Sequence, residues 1–223
     1  MDVQKHWNRI YLEKAPEAVS WYTPHLEASL AFIRQAAAER SSAIIDVGGG
    51  ESTLVDDLIS LGFENITVLD VSQTAIDVNK RRLGQAATGV CWLAADITRT
   101  ELKPSAYDLW HDRAVFHFLT EAGDRSAYLQ QVTRAVKPGG HVIVATFGSE
   151  GPTKCSGLDV VRYDVESLRT QLGDHFRLVD SLTSMHRTPE GKMQQFLYCH
   201  FRVEQDHQSS RLDQTPEDPP GTD

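Results

Sequence analysis

The chain has 223 residues, 40% hydrophobic and 24% charged, which is enough for one sizeable core and short for two. Its formal net charge is −9, of which −5 lies in the last twenty residues, Glu204 to Asp223, where six acids accompany one arginine. The mildly acidic remainder lacks the basic stripe that nucleic-acid enzymes use to neutralise phosphates, so a polynucleotide substrate is disfavoured.

Residues 6–24 hold Trp7, Tyr11, Trp21 and Tyr22 ahead of any strand and read as a short helix followed by a loop. Leu26, Leu30, Ile33 and Ala37 then repeat at helical spacing up to about Arg40. A first strand, Ala43 to Val47, runs into Gly48-Gly49-Gly50, and a helix with Leu54, Val55, Leu58 and Ile59 inward stops at Gly62. The second strand, Ile66 to Leu69, ends in Asp70. Ser72 caps a helix from Gln73 to Leu83 that Gly84 stops. A third strand, Val90 to Ala94, ends in Ala95-Asp96-Ile97, and a fourth, Tyr107 to Trp110, ends in His111-Asp112-Arg113. A helix from about Ala122 to Val136 meets the stop Lys137-Pro138-Gly139-Gly140 before a fifth strand, His141 to Phe147. Strands alternating with helices predict a parallel sheet with right-handed crossovers.

The pattern changes after residue 150. Asp164 caps a short helix ended by Gly173, and two strand-like runs, 176–186 and 193–203, flank the turn Thr188 to Gly191. The expected fold is an α/β Rossmann-like three-layer sandwich, its seven-stranded, mostly parallel sheet closed by a C-terminal antiparallel hairpin. Residues 1–42 are read as an N-terminal helical lid and first helix, 43–203 as the core, and 204–223 as an acidic tail too polar to order. The N-terminus has no apolar signal core, and no run approaches the roughly 20 apolar residues that span a bilayer. Cys91, Cys155 and Cys199 show neither a CxxC nor a Cys/His metal spacing, which suggests a reducing compartment. A cytoplasmic protein with no metal site and no membrane partner is expected.

Three glycines between a strand and a helix let backbone approach a ligand where a side chain would block it. Asp70, twenty residues beyond Gly50, stands where this architecture holds a carboxylate against ribose hydroxyls. An adenosine cofactor follows. Thr53 occupies the third-glycine position of a dinucleotide fingerprint, which weakens a nicotinamide reading.

Four features taken together, Asp46-Val47-Gly48-Gly49-Gly50, Asp70, Ala95-Asp96-Ile97 and Lys137-Pro138-Gly139-Gly140, resemble the class I S-adenosylmethionine-dependent methyltransferases over residues 6–203. The resemblance implies S-adenosyl-L-methionine as cofactor. It lays Gly48 to Gly50 along the methionine portion, Asp70 at the ribose hydroxyls, Asp96 with the Ile97 amide at the adenine edge, and Trp7 and Tyr11 against the cofactor, with Asp46 and Val71 also among the cofactor-binding residues. Within the class, Trp110-His111-Asp112-Arg113-Ala114 and Thr120 to Arg125 are similar to the thiopurine and thiol methyltransferase group. The chain departs from that group in its generic glycine loop and in the insertion Thr153 to Gly157. Protein-lysine methyltransferases are the nearest alternative, although their segment after strand four usually reads Asp-Lys-Gly.

Methyl transfer from a sulfonium needs alignment and desolvation more than catalytic groups. A thiol acceptor reacts as its anion, so one cation suffices, and Arg113 is the candidate. An amine needs a base, for which His111 or His117 is placed near the end of strand four, with Asp112 set to orient His111 or Arg113. Trp21 is read as a pocket wall, and Cys155 is placed in the loop after strand five, which in the resembled class borders the acceptor pocket. The expected partner is a small-molecule methyl acceptor, with the oligomeric state left open. The non-enzyme alternative is an S-adenosylmethionine-binding regulator.

Overall fold

The structure, a computed structural model, describes residues 2–37 and 39–204. The expected tail therefore lies, from residue 205 onward, outside the described residues. Helix α1 (Val3–Glu13) and α2 (Glu27–Ala36) precede β1 (Ala43–Val47), α3 (Leu54–Ser60), β2 (Asn65–Asp70), α4 (Gln73–Leu83), β3 (Val90–Ala94), β4 (Tyr107–Arg113), α5 (Ala122–Ala135) and β5 (Val136–Phe147). A two-residue pair, β6 (Lys154–Cys155) and β7 (Leu158–Asp159), then leads through α6 (Val165–Leu172) to the hairpin β8 (Phe176–Arg187) and β9 (Met193–Val203).

The large sheet has the order β3-β2-β1-β4-β5-β9-β8, parallel through β5 and antiparallel beyond it. The chain order reverses between β1 and β4, and a doubly wound sheet opens its binding crevice at such a reversal, outside the carboxyl ends of the strands. Successive residues face opposite sides. Ile45, Val47, Trp110, Val142 and Val144 join α5 and α6 in one core, while Ile44, Val68, Leu109, Ile143 and Ala145 join α2 and α3 in the other. Each fully buried Leu, Ile or Phe there contributes about 1.5–3 kcal/mol.

The predicted helix stops hold, and each has a local cause. Ser72 Oγ accepts from the Ala75 amide, and Gly62, Gly84 and Gly173 follow α3, α4 and α6 at positive φ. Asp164 and Ser167 form a reciprocal capping box on α6.

Two expectations are corrected. Lys137 to Gly140 does not precede the fifth strand but lies within it. Val136 pairs with Tyr107, the register then shifts, and His141 pairs with Leu109. Gly139 at φ 76° and Gly140, where a Cβ would sit 2.8 Å from the Lys137 carbonyl, let the extra residues bulge without losing the sheet. The insertion after β5 is also not plain loop, because Lys154 and Cys155 pair with Asp159 and Leu158.

Candidate functional site

A cleft opens at the carboxyl ends of β1, β2 and β4 and runs beneath α1. Its floor at one end is the glycine turn. Gly48 and Gly50 take positive φ, and a Cβ on Gly50 would lie 2.5 Å from the Tyr11 hydroxyl, so only glycine leaves this space free. Asp70 ends β2 beneath that turn, its Oδ2 accepting from the Gly50 amide at 2.9 Å and its Oδ1 from the Ser72 amide at 2.7 Å. Burial pushes its carboxyl up to about 6 even against those two donors. Farther along, Asp96 Oδ1 accepts from the Thr98 amide and hydroxyl, and Asp96, Ile97 and Val71 line the same end.

Helix α1 is held over this end by polar contacts to the turn after β2. Asn8 Oδ1 accepts from Ser72 Oγ at 2.7 Å, and Gln4 Nε2 donates to the Val71 carbonyl. The helix thereby brings Trp7 and Tyr11 onto the cleft, where Trp7 meets Trp21 and Phe118 edge-on at 5.8 and 5.2 Å.

The other end of the cleft is lined by Trp21, Phe118, Phe147, Phe196, Cys155 and Arg113. The Arg113 guanidinium lies 4.5 Å from the centre of the Phe196 ring, its Nε donates to Tyr198 Oη at 3.1 Å, and one terminal nitrogen donates to the Trp21 carbonyl at 3.2 Å. It forms no ion pair among the described residues, so its charge is not neutralised by a neighbouring carboxylate. Cys155 is buried, and desolvation pushes its thiol up to about 11, which keeps it protonated and poorly nucleophilic.

The cleft thus gathers Trp7, Tyr11, Trp21, Asp46, Gly48, Gly49, Gly50, Asp70, Val71, Asp96, Ile97, His111, Arg113 and Cys155 from segments far apart in the chain. It does not include Asp112 or His117, and both expectations are corrected. Asp112 alternates with His111 and Arg113 on β4 and so faces the other side of the sheet. There it accepts from the Val115 and Phe116 amides and, at 2.6 Å, from the Tyr128 hydroxyl. It orients the chain after β4, not Arg113 or His111. His117 is fully buried behind Phe147, its Nδ1 accepting from the Phe147 amide, and burial drives it down to about 3. It stays neutral and makes no base for the cleft.

His111 also fails as a free base, because both ring nitrogens are engaged, Nδ1 with Asp46 Oδ1 at 2.7 Å and Nε2 with Ser29 Oγ at 2.8 Å. Sequence reasoning missed Ser29, Phe196 and Tyr198. The two aromatics lie on one face of β9 by simple alternation, but nothing local says that this face meets Arg113.

The Asp112 network yields a direct expectation. Tyr128 donates to Asp112 and accepts from Trp110 Nε1 at 2.9 Å, so Tyr128→Phe leaves both groups short of a partner in the core. Stability is expected to fall by about 1–3 kcal/mol, lowering the melting temperature by roughly 2–4 °C per kcal/mol. Because this network lies behind the sheet, S-adenosylhomocysteine affinity measured by calorimetry on the folded variant is expected to stay within twofold.

Comparison with known proteins agrees with this geometry. A family profile described as a methyltransferase domain matches residues 44–140. Among curated proteins, the chain is 24% identical over 139 residues to an eEF1A lysine and N-terminal methyltransferase of Bos taurus, covering 62% of this chain and 19% of that protein. The Danio rerio counterpart is 21% identical over 148 residues, 65% and 21% respectively. The chain spans about a fifth of the length of these curated relatives. Among solved structures, the N-methyltransferase NodS of Bradyrhizobium japonicum with S-adenosylhomocysteine superposes at a TM-score of 0.68, with 17% identity, over 92% of this chain and 100% of that one. A protein solved in a study of the conversion of a disulfide bond into a thioacetal group during echinomycin biosynthesis gives 0.73, with 18% identity, over 92% and 93%. At these identities the likeness concerns the fold. No helix among the described residues is long and apolar enough to cross a membrane.

Proposed function

We propose that this chain, whose residues 44–140 match a methyltransferase domain, is a class I S-adenosylmethionine-dependent methyltransferase that moves the cofactor's methyl group to a small thiol or similar soft nucleophile. In this reading residues 1–42 are the lid and first helix and 43–203 the transferase core. The site residues fit the cofactor: the glycine turn is a cradle that a Cβ would fill, and Asp70 presents a buried carboxylate beside it. Gly48 to Gly50 would hold the methionine portion, Asp70 the ribose, and Asp96 with Ile97 the adenine. When bound, the cofactor supplies an activated methyl group on a sulfonium.

What this chain's own residues contribute is alignment, exclusion of water and one cation. Trp7, Tyr11 and Trp21 cover the cleft, and Phe147, Phe196 and Cys155 wall its acceptor end. The single observation that carries the proposal is Arg113, a guanidinium fixed by Tyr198 Oη, the Trp21 carbonyl and the Phe196 ring with no carboxylate partner among the described residues. Such a cation favours an anion beside it, and the anion of a thiol is its nucleophilic form. A lysine or α-amine acceptor would have to lose a proton, and His111 has both ring nitrogens engaged while His117 is buried outside the cleft lining. The sulfur chemistry named for one structural relative supports the same reading.

The lysine and N-terminal methyltransferases among the relatives favour the protein-amine alternative, and a regulator that binds cofactor and transfers nothing is the non-enzyme one. A transfer assay with tritiated S-adenosylmethionine separates the three. Purified protein is offered small thiols, halides, metalloid oxyanions and whole-cell protein extract. Label is expected in the thiol products. Label confined to protein bands would replace the small-molecule reading with the amine one, and no transfer to any acceptor would favour the regulator.

A further inference from the structure

Beside the glycine turn lies a buried polar group that no step above uses: Asp46 in β1, His111 in β4 and Ser29 in α2. Asp46 and His111 are register partners in the parallel β1–β4 pair, so strand pairing itself sets their side chains together. A carboxylate only accepts, so His111 Nδ1 carries the proton and donates to Asp46 Oδ1 at 2.7 Å. Nε2, 2.8 Å from Ser29 Oγ, is satisfied by a hydroxyl able to donate to a neutral ring or accept from a charged one. The ring is therefore locked at both ends, and it locks the plane of the carboxylate.

The second oxygen, Asp46 Oδ2, has no hydrogen-bond partner among the described residues and lies 2.9 Å from where a Cβ on Gly49 would sit. Asp46 and His111 both line the cleft there, whereas Ser29 is fully buried and lies outside the cleft lining. The constellation has the spacing of a nucleophilic Ser-His-Asp triad, yet its serine is sealed from any substrate, so it acts on orientation and not as a nucleophile. A buried carboxylate with one satisfied and one free oxygen facing a cleft is a receptor for a cationic donor.

We propose that Ser29 and His111 are positioning residues that hold Asp46 turned so that its free oxygen receives the α-ammonium of the cofactor's amino-acid portion. The relay also ties α2, the helix that follows the Trp21 loop, to the cofactor cradle through a single ring. This rests on the cofactor assignment and is independent of the identity of the acceptor.

The test compares two ligands by isothermal titration calorimetry: S-adenosylhomocysteine, which carries the ammonium, and 5′-methylthioadenosine, which keeps the adenosine and sulfur but lacks the amino-acid portion. His111→Leu is expected to weaken S-adenosylhomocysteine at least tenfold while 5′-methylthioadenosine stays within twofold. His111→Asn, whose amide replaces the donor to Asp46, is expected to recover most of the loss. Ser29→Ala, a milder change that keeps the ring, is expected to weaken S-adenosylhomocysteine alone by a few-fold and serves if His111→Leu does not fold. Equal loss for both ligands, or no loss for either, in the folded variants would reduce the relay to a structural role and overturn the proposal. A wild-type protein that binds neither ligand overturns the cofactor assignment and the relay with it.

Discussion

Replacing Asp70 with alanine is expected to weaken S-adenosylhomocysteine binding by about 5- to 150-fold, the equivalent of about 1–3 kcal/mol for donors left without their acceptor. The carboxylate holds the Gly50 and Ser72 amides with one lone pair on each oxygen, which leaves the remaining lone pairs for ribose hydroxyls. Asp70→Asn keeps the shape and one acceptor oxygen and is expected to fall between wild type and alanine. Gly50→Val is expected to abolish binding by a different route, since its φ of 52° strains any branched residue and its Cβ would meet the Tyr11 hydroxyl. Calorimetric titration of all three, with melting curves to confirm folding, checks this. Normal affinity in both Asp70→Ala and Gly50→Val would place the cofactor elsewhere.

Under the proposed ribose assignment the same carboxylate is expected to make cofactor affinity pH-dependent, and the sign follows from its raised value of about 6. Ribose hydroxyls donate to the ionised form, so binding competes with protonation. Affinity is full above about pH 6 and is expected to fall towards tenfold per pH unit below it. In Asp70→Asn this dependence is expected to disappear, and its persistence would assign the titration to another group.

The second large effect concerns Arg113. With a thiol acceptor, Arg113→Met is expected to raise the pH at which the rate is half-maximal by about one unit or more, because the bound thiol loses the cation that favours its anion. A rise of one pH unit lowers the rate at neutral pH roughly tenfold, while at alkaline pH, where the thiol ionises unaided, the rate recovers. Methionine keeps the unbranched apolar stem but not the guanidinium that lies over the Phe196 ring, nor its charge. Cofactor affinity is expected to stay unchanged, since Arg113 lies at the opposite end of the cleft from Asp70 and Asp96. An active variant with an unshifted pH profile would return Arg113 to holding Tyr198 and the Trp21 loop in place.

Much of the scaffold was legible because its signals are local. Glycine after a helix, serine before one, and apolar residues at period two or 3.6 act through backbone sterics and nearest-neighbour packing, so Ser72, Gly62, Gly84 and Gly173 mark the same boundaries in the sequence and in the fold. The glycine turn and Asp70 were legible for the same reason: a strand, a turn and a helix are contiguous, and the next strand lies one crossover away. Lys137 to Gly140 misled because proline and glycine signal a stop locally, while the paired neighbour β4 carries the bulge through.

The Arg113 end of the cleft was decided only by the tertiary structure. Alternation along β4 puts Asp112 opposite His111 and Arg113, but which face opens on the cleft depends on α2 covering one side of the sheet and α5 the other. Arg113 meets Tyr198, 85 positions away, because β9 enters antiparallel beside β5 in the register that sets Ala145 against Tyr198. Ser29 reaches His111 from a helix 82 positions earlier by the same kind of accident of packing. The sequence by itself determined the elements and the glycine turn with Asp70 beneath it, since their causes lie within a few residues of their effects. The partners of Arg113, His111 and Asp112 were settled by sheet order, register and helix placement, which arise from burial summed over the whole chain and leave no local mark.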